Sequence, residues 1–160
     1  SVGHGMTFRR NLSGADDIGI ALTELTDKVS TRLRRHDKWA RGVKIEITTP
    51  EFKRFSRQKR LPSPINSPAA FRNAAVELIS NLNFMNKPIR LLTVTAIDLT
   101  DSPDDGQLTI FTMGATTDEK QRSEKDENIA KAMDEIRDKF GKSSIRFAHV
   151  IGNDIGIDED

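Results

Sequence analysis

The 160-residue chain has no cysteine and no tyrosine, and only one tryptophan. The absence of cysteine excludes a disulfide framework, a thiolate metal site and a thiol nucleophile, and it points to an intracellular, cytoplasmic protein. With aromatic residues at 6%, a base-stacking platform of the kind that binds single strands is disfavoured. No apolar run is long enough to span a bilayer and the start carries no signal-peptide pattern, so no membrane partner is expected. Histidine is scarce as well: His4, His36 and His149 stand apart with no metal-ligand spacing. The carboxylate pairs Asp16-Asp17 and Asp104-Asp105 fall at a helix start and in a linker. No catalytic or metal residue is assigned, and no cofactor is expected within these residues.

Charge is distributed unevenly. Residues 1–100 carry 17 Lys+Arg against 9 Asp+Glu, and residues 101–160 carry 8 against 15, a split that the net charge of +1 conceals. A basic front half joined to an acidic rear half suits an element that meets an anionic partner, with nucleic acid the leading candidate.

Periodicity gives the elements. Ser1–Phe8, with Gly3 and Gly5 among apolar residues, reads as an edge strand open to close approach. From Asp16, Ile18, Leu22, Leu25, Val29 and Leu33 recur at steps of three and four, with acids at the start and Arg32, Arg34 and Arg35 at the end. That is an amphipathic helix with charges matched to its dipole. Val43, Ile45 and Ile47 alternate with polar residues in a half-buried strand that stops before Pro50. Phe52–Leu61 is its antiparallel partner, ended by Pro62-Ser63-Pro64. Trp39, in the loop after the first helix, reads as a packing cap. Ser67 caps a second helix with Pro68 at its first position and Phe71, Ala75, Leu78 and Leu82 as its stripe. Ile89–Ile97 is the last strand.

The order β-α-β-β-α-β predicts an α+β fold, a four-stranded antiparallel sheet with both helices on one face and the other face open. The expected organisation is a domain over residues 1–99, a flexible linker over 100–126 and a tail over 127–160. In the tail, Ile129, Met133, Ile136 and Phe140 mark a helix that Gly141 ends, and 145–151 reads as a short strand. This tail is expected to be ordered only conditionally.

Two segments carry candidate function. In Phe52–Arg60 five of nine residues are cationic. If Phe55 and Leu61 face the helices, alternation sends Arg54, Ser56, Gln58 and Arg60 to the open face, joined by Arg90 from the neighbouring strand. Arg57 and Lys59 must then escape at an edge or through a bulge. Guanidinium forks, hydroxyls and amides suit phosphate oxygens along a duplex and position it without reading its sequence. The plainer account is a solvated edge strand whose cations block aggregation. The second segment, Gln107-Leu108-Thr109-Ile110-Phe111, resembles the short motif by which bacterial DNA polymerases and repair proteins tie themselves to the ring-shaped sliding clamp.

Three stretches resemble one known family: Ser1-Val2-Gly3-His4-Gly5-Met6-Thr7-Phe8, Phe55-Ser56-Arg57-Gln58-Lys59-Arg60-Leu61 and Ile89-Arg90-Leu91-Leu92-Thr93-Val94. They are similar to the little finger domain in the C-terminal region of Y-family translesion DNA polymerases, of the bacterial DNA polymerase IV and UmuC-like (ImpB/MucB/SamB) type. The resemblance covers residues 1–99, and the clamp-like motif follows where that family puts it. It implies a grip on template-primer duplex across the major groove, with phosphate contacts at His4, Thr7, Ser56, Arg57, Arg60 and Arg90. Gln58 and Arg60 replace residues that in the family are often small and hydroxyl-bearing. In the clamp motif, Leu108 and Phe111 would fill an apolar pocket, with Ile110 a conservative replacement beside them, while Gln107 makes polar contacts. Lys131–Gly141 also resembles a tail found after the motif in some relatives.

The family's polymerase chemistry uses Mg2+ held by acidic residues of a palm domain. No such palm precedes Ser1, so the chain is expected to be a fragment that binds but does not polymerise. The alternative from another class is a ferredoxin-like RNA-binding module with an unrelated protein-interaction tail. Its usual aromatic pairs on the middle strands are absent here.

Overall fold

The computed structural model describes residues 1–103, 117–141, 147 and 150–157, with only the backbone of 117–124. Gln107, Leu108, Ile110 and Phe111 therefore lie outside the described residues. The element order is β1 (Val2–Leu12), α1 (Gly14–Arg35), β2 (Trp39–Thr48), β3 (Arg54–Ile65), α2 (Pro68–Asn81), β4 (Ile89–Thr100) and α3 (Thr117–Phe140). The strands form one sheet in the order β1-β4-β2-β3, and every neighbouring pair is antiparallel. The expected α+β fold is present.

Local chemistry sets the helix ends. Ser67 Oγ accepts the Ala70 N–H at 3.4 Å and Pro68 opens α2, which satisfies one orphan donor and needs none from Pro68. Both α1 and α2 stop in the same way, with Asp37 (φ 50°) and Asn83 (φ 60°) in the left-handed region. Asp37 N–H donates to Arg34 O and Lys38 N–H to Leu33 O, while Asn83 N–H donates to Ser80 O and Phe84 N–H to Ile79 O. These are paired Schellman closures, built on residue types that tolerate this conformation.

Alternation along the strands puts Val43, Ile45 and Ile47 of β2 and Leu92, Val94 and Ala96 of β4 toward the helices, all fully buried. Ile18, Leu22, Leu25, Val29 and Leu33 from α1 and Phe71, Ala75, Leu78 and Ile79 from α2 complete that core. At roughly 1.5–3 kcal/mol for each large side chain removed from water, this layer dominates the stability of the fold.

Several boundaries differ from the sequence reading: β1 runs past Phe8 to Leu12, β4 runs past Ile97 to Thr100, and β3 opens at Arg54, which leaves Phe52 in the connection before it. β3 runs on through Pro62 and Pro64 to Ile65. It can do so because it is an edge strand, where a missing N–H faces no partner, and because its register with β2 shifts between Ala40 and Gly42. Trp39 opens β2 instead of capping a loop, and pairs with Thr100. α3 begins at Thr117, inside the segment read as linker. Among the described residues of 145–151, Phe147 belongs to no strand, and Val150 and Ile151 form a turn.

The tail packs on the helical side of the domain. Ala130 is buried, and Val150, Ile155 and Ile157 join the core. Arg137 makes a bidentate pair with Asp27 of α1 at 2.9 and 3.0 Å. Asp134 does the same with Arg34 at 2.6 and 3.0 Å. Arg9 N–H donates to Ile155 O at 2.9 Å, and the Arg10 guanidinium bridges Asp17 and Asp154. Hydrogen bonding to Arg10, ahead of every other influence, holds both carboxyls below their usual range.

Candidate nucleic-acid interface

Residues paired across antiparallel strands share a face, so the register defines the surface opposite the helices. Four rows cross it. Thr7, Leu91, Thr48 and Arg54 form the first, and Gly5, Thr93, Glu46 and Ser56 the second. Gly3, Thr95, Lys44 and Gln58 form the third, and Ile97, Gly42 and Arg60 the fourth. No described helix covers these rows. Hydroxyls line the centre, cations line the β3 edge, and the β1 edge is almost bare of side chains.

The bareness of that edge is set by packing. A Cβ on Gly3 would stand 2.9 Å from Thr95 Oγ1, and one on Gly5 would come closer still to Thr93 Oγ1. The threonines of β4 lean over the strand that the glycines keep flat, so backbone amides and hydroxyls present one smooth surface.

Arg54, Ser56, Gln58 and Arg60 are all exposed, and among the described residues no carboxylate pairs with Arg54 or Arg60. Glu46 is the one acid in the four rows, and Lys44 Nζ holds it at 3.1 Å. A depression between β2, β3 and β4 is lined by Glu46, Thr48, Arg54, Ser56, Leu91 and Thr93 among others. A surface with free guanidinium groups and neutralised acid attracts phosphate without presenting a directional code for bases.

The sequence-nominated residues divide. Thr7, Arg54, Ser56, Gln58 and Arg60 lie together on the open rows. Arg57 pairs with Ile45 and so stands on the helical side of the outer edge, exposed. Lys59, in register with Val43, reaches Glu77 of α2 at 2.6 Å. His4 pairs with Val94, which turns its imidazole toward α1. There burial, and after it the charges of Arg32 and Lys28, pull its pKa below the ordinary 6.5. Arg90 is not beside β3, because β2 lies between β3 and β4. Its guanidinium instead covers the Phe52 ring at 4.7 Å, at the tip of the β2–β3 hairpin. Lys44, Thr93 and Thr95 belong to the open rows but were not singled out from the sequence, although the alternation around Val43, Ile45 and Ile47 already carried the signal for Lys44.

Among the described residues no group of three or more His, Asp and Glu side chains is placed to hold a metal ion, and no helix is long and apolar enough to cross a membrane.

A four-stranded antiparallel sheet with helices on one face and this bare, cationic opposite face defines a little-finger-type domain. At 15% identity and a TM-score of 0.50, the chain shares its fold with the little finger domain of PolIV, solved in complex with a β-clamp processivity factor; 68% of this chain and 96% of that one are covered. The fold also matches DinB from Sulfolobus solfataricus at 16% identity and a TM-score of 0.50, over 58% of this chain and 27% of that one. The chain belongs to the impB/mucB/samB family: the model of that family's C-terminal domain matches residues 1–110.

Curated relatives extend the likeness through the tail. DNA polymerase IV of Acetivibrio thermocellus is 30% identical over 91% of this chain and 35% of its own length. DNA polymerase IV of Clostridium kluyveri is 27% identical over 94% of this chain and 38% of its own. DNA polymerase IV 2 of Halalkalibacterium halodurans is 31% identical over 92% of this chain and 34% of its own. The chain thus spans about a third of the length of these relatives.

Proposed function

We propose that this chain is the DNA-gripping and clamp-docking region of a bacterial translesion DNA polymerase. The open rows hold the template-primer duplex by its phosphates, and Gln107, Leu108, Ile110 and Phe111 dock on the sliding clamp. The observation that carries this is the two open-face arginines, Arg54 and Arg60, which no carboxylate meets among the described residues. Arg54 and Arg60 stand beside Ser56 and Gln58 on an edge strand, whereas Arg34, Lys59 and Arg137 on the helical side each reach a carboxylate. Family membership and the fold shared with a clamp-bound little finger support the same reading. Nucleotidyl transfer, with its Mg2+, belongs to the acidic palm residues of the parent polymerase, and the 160 residues by themselves should extend no primer.

Duplex binding measured against salt tests the grip. Each neutralised phosphate adds about 0.9 to the slope of log affinity against log salt, so Arg54→Ala and Arg60→Ala should each flatten it by roughly one unit, with equal losses on unrelated sequences. A flat salt dependence of the native chain defeats the assignment of the open face. Docking is tested separately with purified bacterial clamp, where Leu108→Ala with Phe111→Ala should abolish binding that the native chain shows. Tighter binding of single-stranded RNA than of duplex DNA would transfer the chain to the RNA-binding class.

A further inference from the structure

The hairpin tip departs from the rest of the surface. Phe52 sits in the turn between β2 and β3 with φ 65° and 67% of its surface exposed. A bulky residue is strained in the left-handed region, and so large an exposure returns little burial energy to offset that strain. The turn is nonetheless well closed, with Phe52 N–H donating to Thr49 O and Thr49 N–H to Lys53 O, both at 2.9 Å. The ring's one partner among the described contacts is the Arg90 guanidinium.

A second aromatic group begins three residues on in the sequence. Phe55, 40% exposed, meets Phe84 with ring centres 5.1 Å apart, and Lys87 Nζ lies 5.2 Å from the Phe84 centre. Phe84 is fixed there as the residue that closes α2. Two exposed rings, Phe52 and Phe55, thus flank Lys53 and Arg54 in the sequence, with Arg90 against Phe52 and Lys87 against the buried Phe84, while Glu46 lines the depression that Arg54 and Phe55 share.

The geometry points to a stacking site for unpaired nucleotides at this tip, distinct from the duplex-gripping rows but continuous with them through Arg54. Planar bases stack on an aromatic face and on guanidinium alike, and the surrounding cations suit the phosphates between them. An apolar peptide would need a hydrophobic groove, whereas the flanks of these rings are cationic. The site rests on the nucleic-acid reading of the open face, since Arg54 serves both. It extends that reading from duplex to the single strand that continues beyond a primer end.

The test compares a blunt duplex with the same duplex carrying a 5′ single-stranded extension, by fluorescence anisotropy on the full 160-residue chain. One stacked base contributes about 1–3 kcal/mol, so the extended duplex should bind at least roughly fivefold more tightly. Phe52→Ala should erase that difference and leave blunt-duplex affinity unchanged. Phe52→Gly should erase it too while raising the melting temperature, because glycine accepts the left-handed turn. That second variant separates the loss of stacking from a loss of folding. Equal native affinity for the two duplexes, or a Phe52→Ala variant that retains the preference, overturns the stacking site while leaving the duplex grip intact. Failure to bind either duplex removes both.

Discussion

The two faces of the sheet treat charge in opposite ways. On the helical side, Arg34, Arg137 and Lys59 each reach a carboxylate, and the Arg137–Asp27 pair is almost wholly buried. On the open side, Arg54 and Arg60 stand in water with no acid beside them among the described residues. Charge on one face holds the molecule together and on the other is left available. The same strands supply both, since β2 sends Val43, Ile45 and Ile47 one way and Lys44, Glu46 and Thr48 the other.

Substitutions can sharpen that contrast or break it. The largest effect is expected at Asp27. Replacing it with alanine removes the carboxylate that Arg137 meets bidentately in a buried site, at a cost of about 3–5 kcal/mol in denaturant unfolding, whereas replacing both partners with leucine should recover most of the loss. Next is Gly5→Val, which forces a branched side chain into Thr93 and should cost about 1–3 kcal/mol. It would show that the open face is constrained by packing at its β1 edge, unlike its β3 edge. Arg54→Ala with Arg60→Ala should shift unfolding by less than about 0.5 kcal/mol while weakening duplex binding, the behaviour of exposed residues without structural partners. A stability loss comparable to that of Asp27→Ala would dissolve the distinction between the faces.

The smallest effect concerns His4. Its folded pKa lies below the ordinary 6.5, so the folded chain binds fewer protons than the unfolded one. Its contribution is therefore complete above that value and is lost as pH falls through the lowered folded pKa. Unfolding of the native chain should become easier as pH falls below 6.5, and His4→Gln should show less of this dependence. An unchanged pH profile in the variant would remove His4 from the helical-side network.

How much of this was legible beforehand depended on the range of the interaction. The apolar stripe of α1 and the alternation of β2 are local, and they located the helices, the strands and the basic segment. The position of Arg90 was not local: it required knowing that β4 inserts beside β2, which strand spacing does not specify. His4, a phosphate contact by resemblance, shares parity with Met6 and Phe8 and so stands on the helical side of β1. The tail was read as conditional because its partners lie far away in the chain. Asp27 and Arg137 are separated by 110 residues. A clue existed in α1, where Thr23, Thr26, Asp27 and Ser30 form a second buried stripe that the sheet does not need. The clamp motif remains a matter of sequence and family.

Strict alternation in the central strands has a consequence for how such a domain can change. A substitution at Lys44, Gln58 or Arg60 alters what the surface attracts without reaching the core, and a substitution at Ile45 does the reverse. Variation can therefore alter the charge and shape of the open face row by row on a scaffold that stays folded, with the glycines of β1 as the edge where surface and packing remain tied.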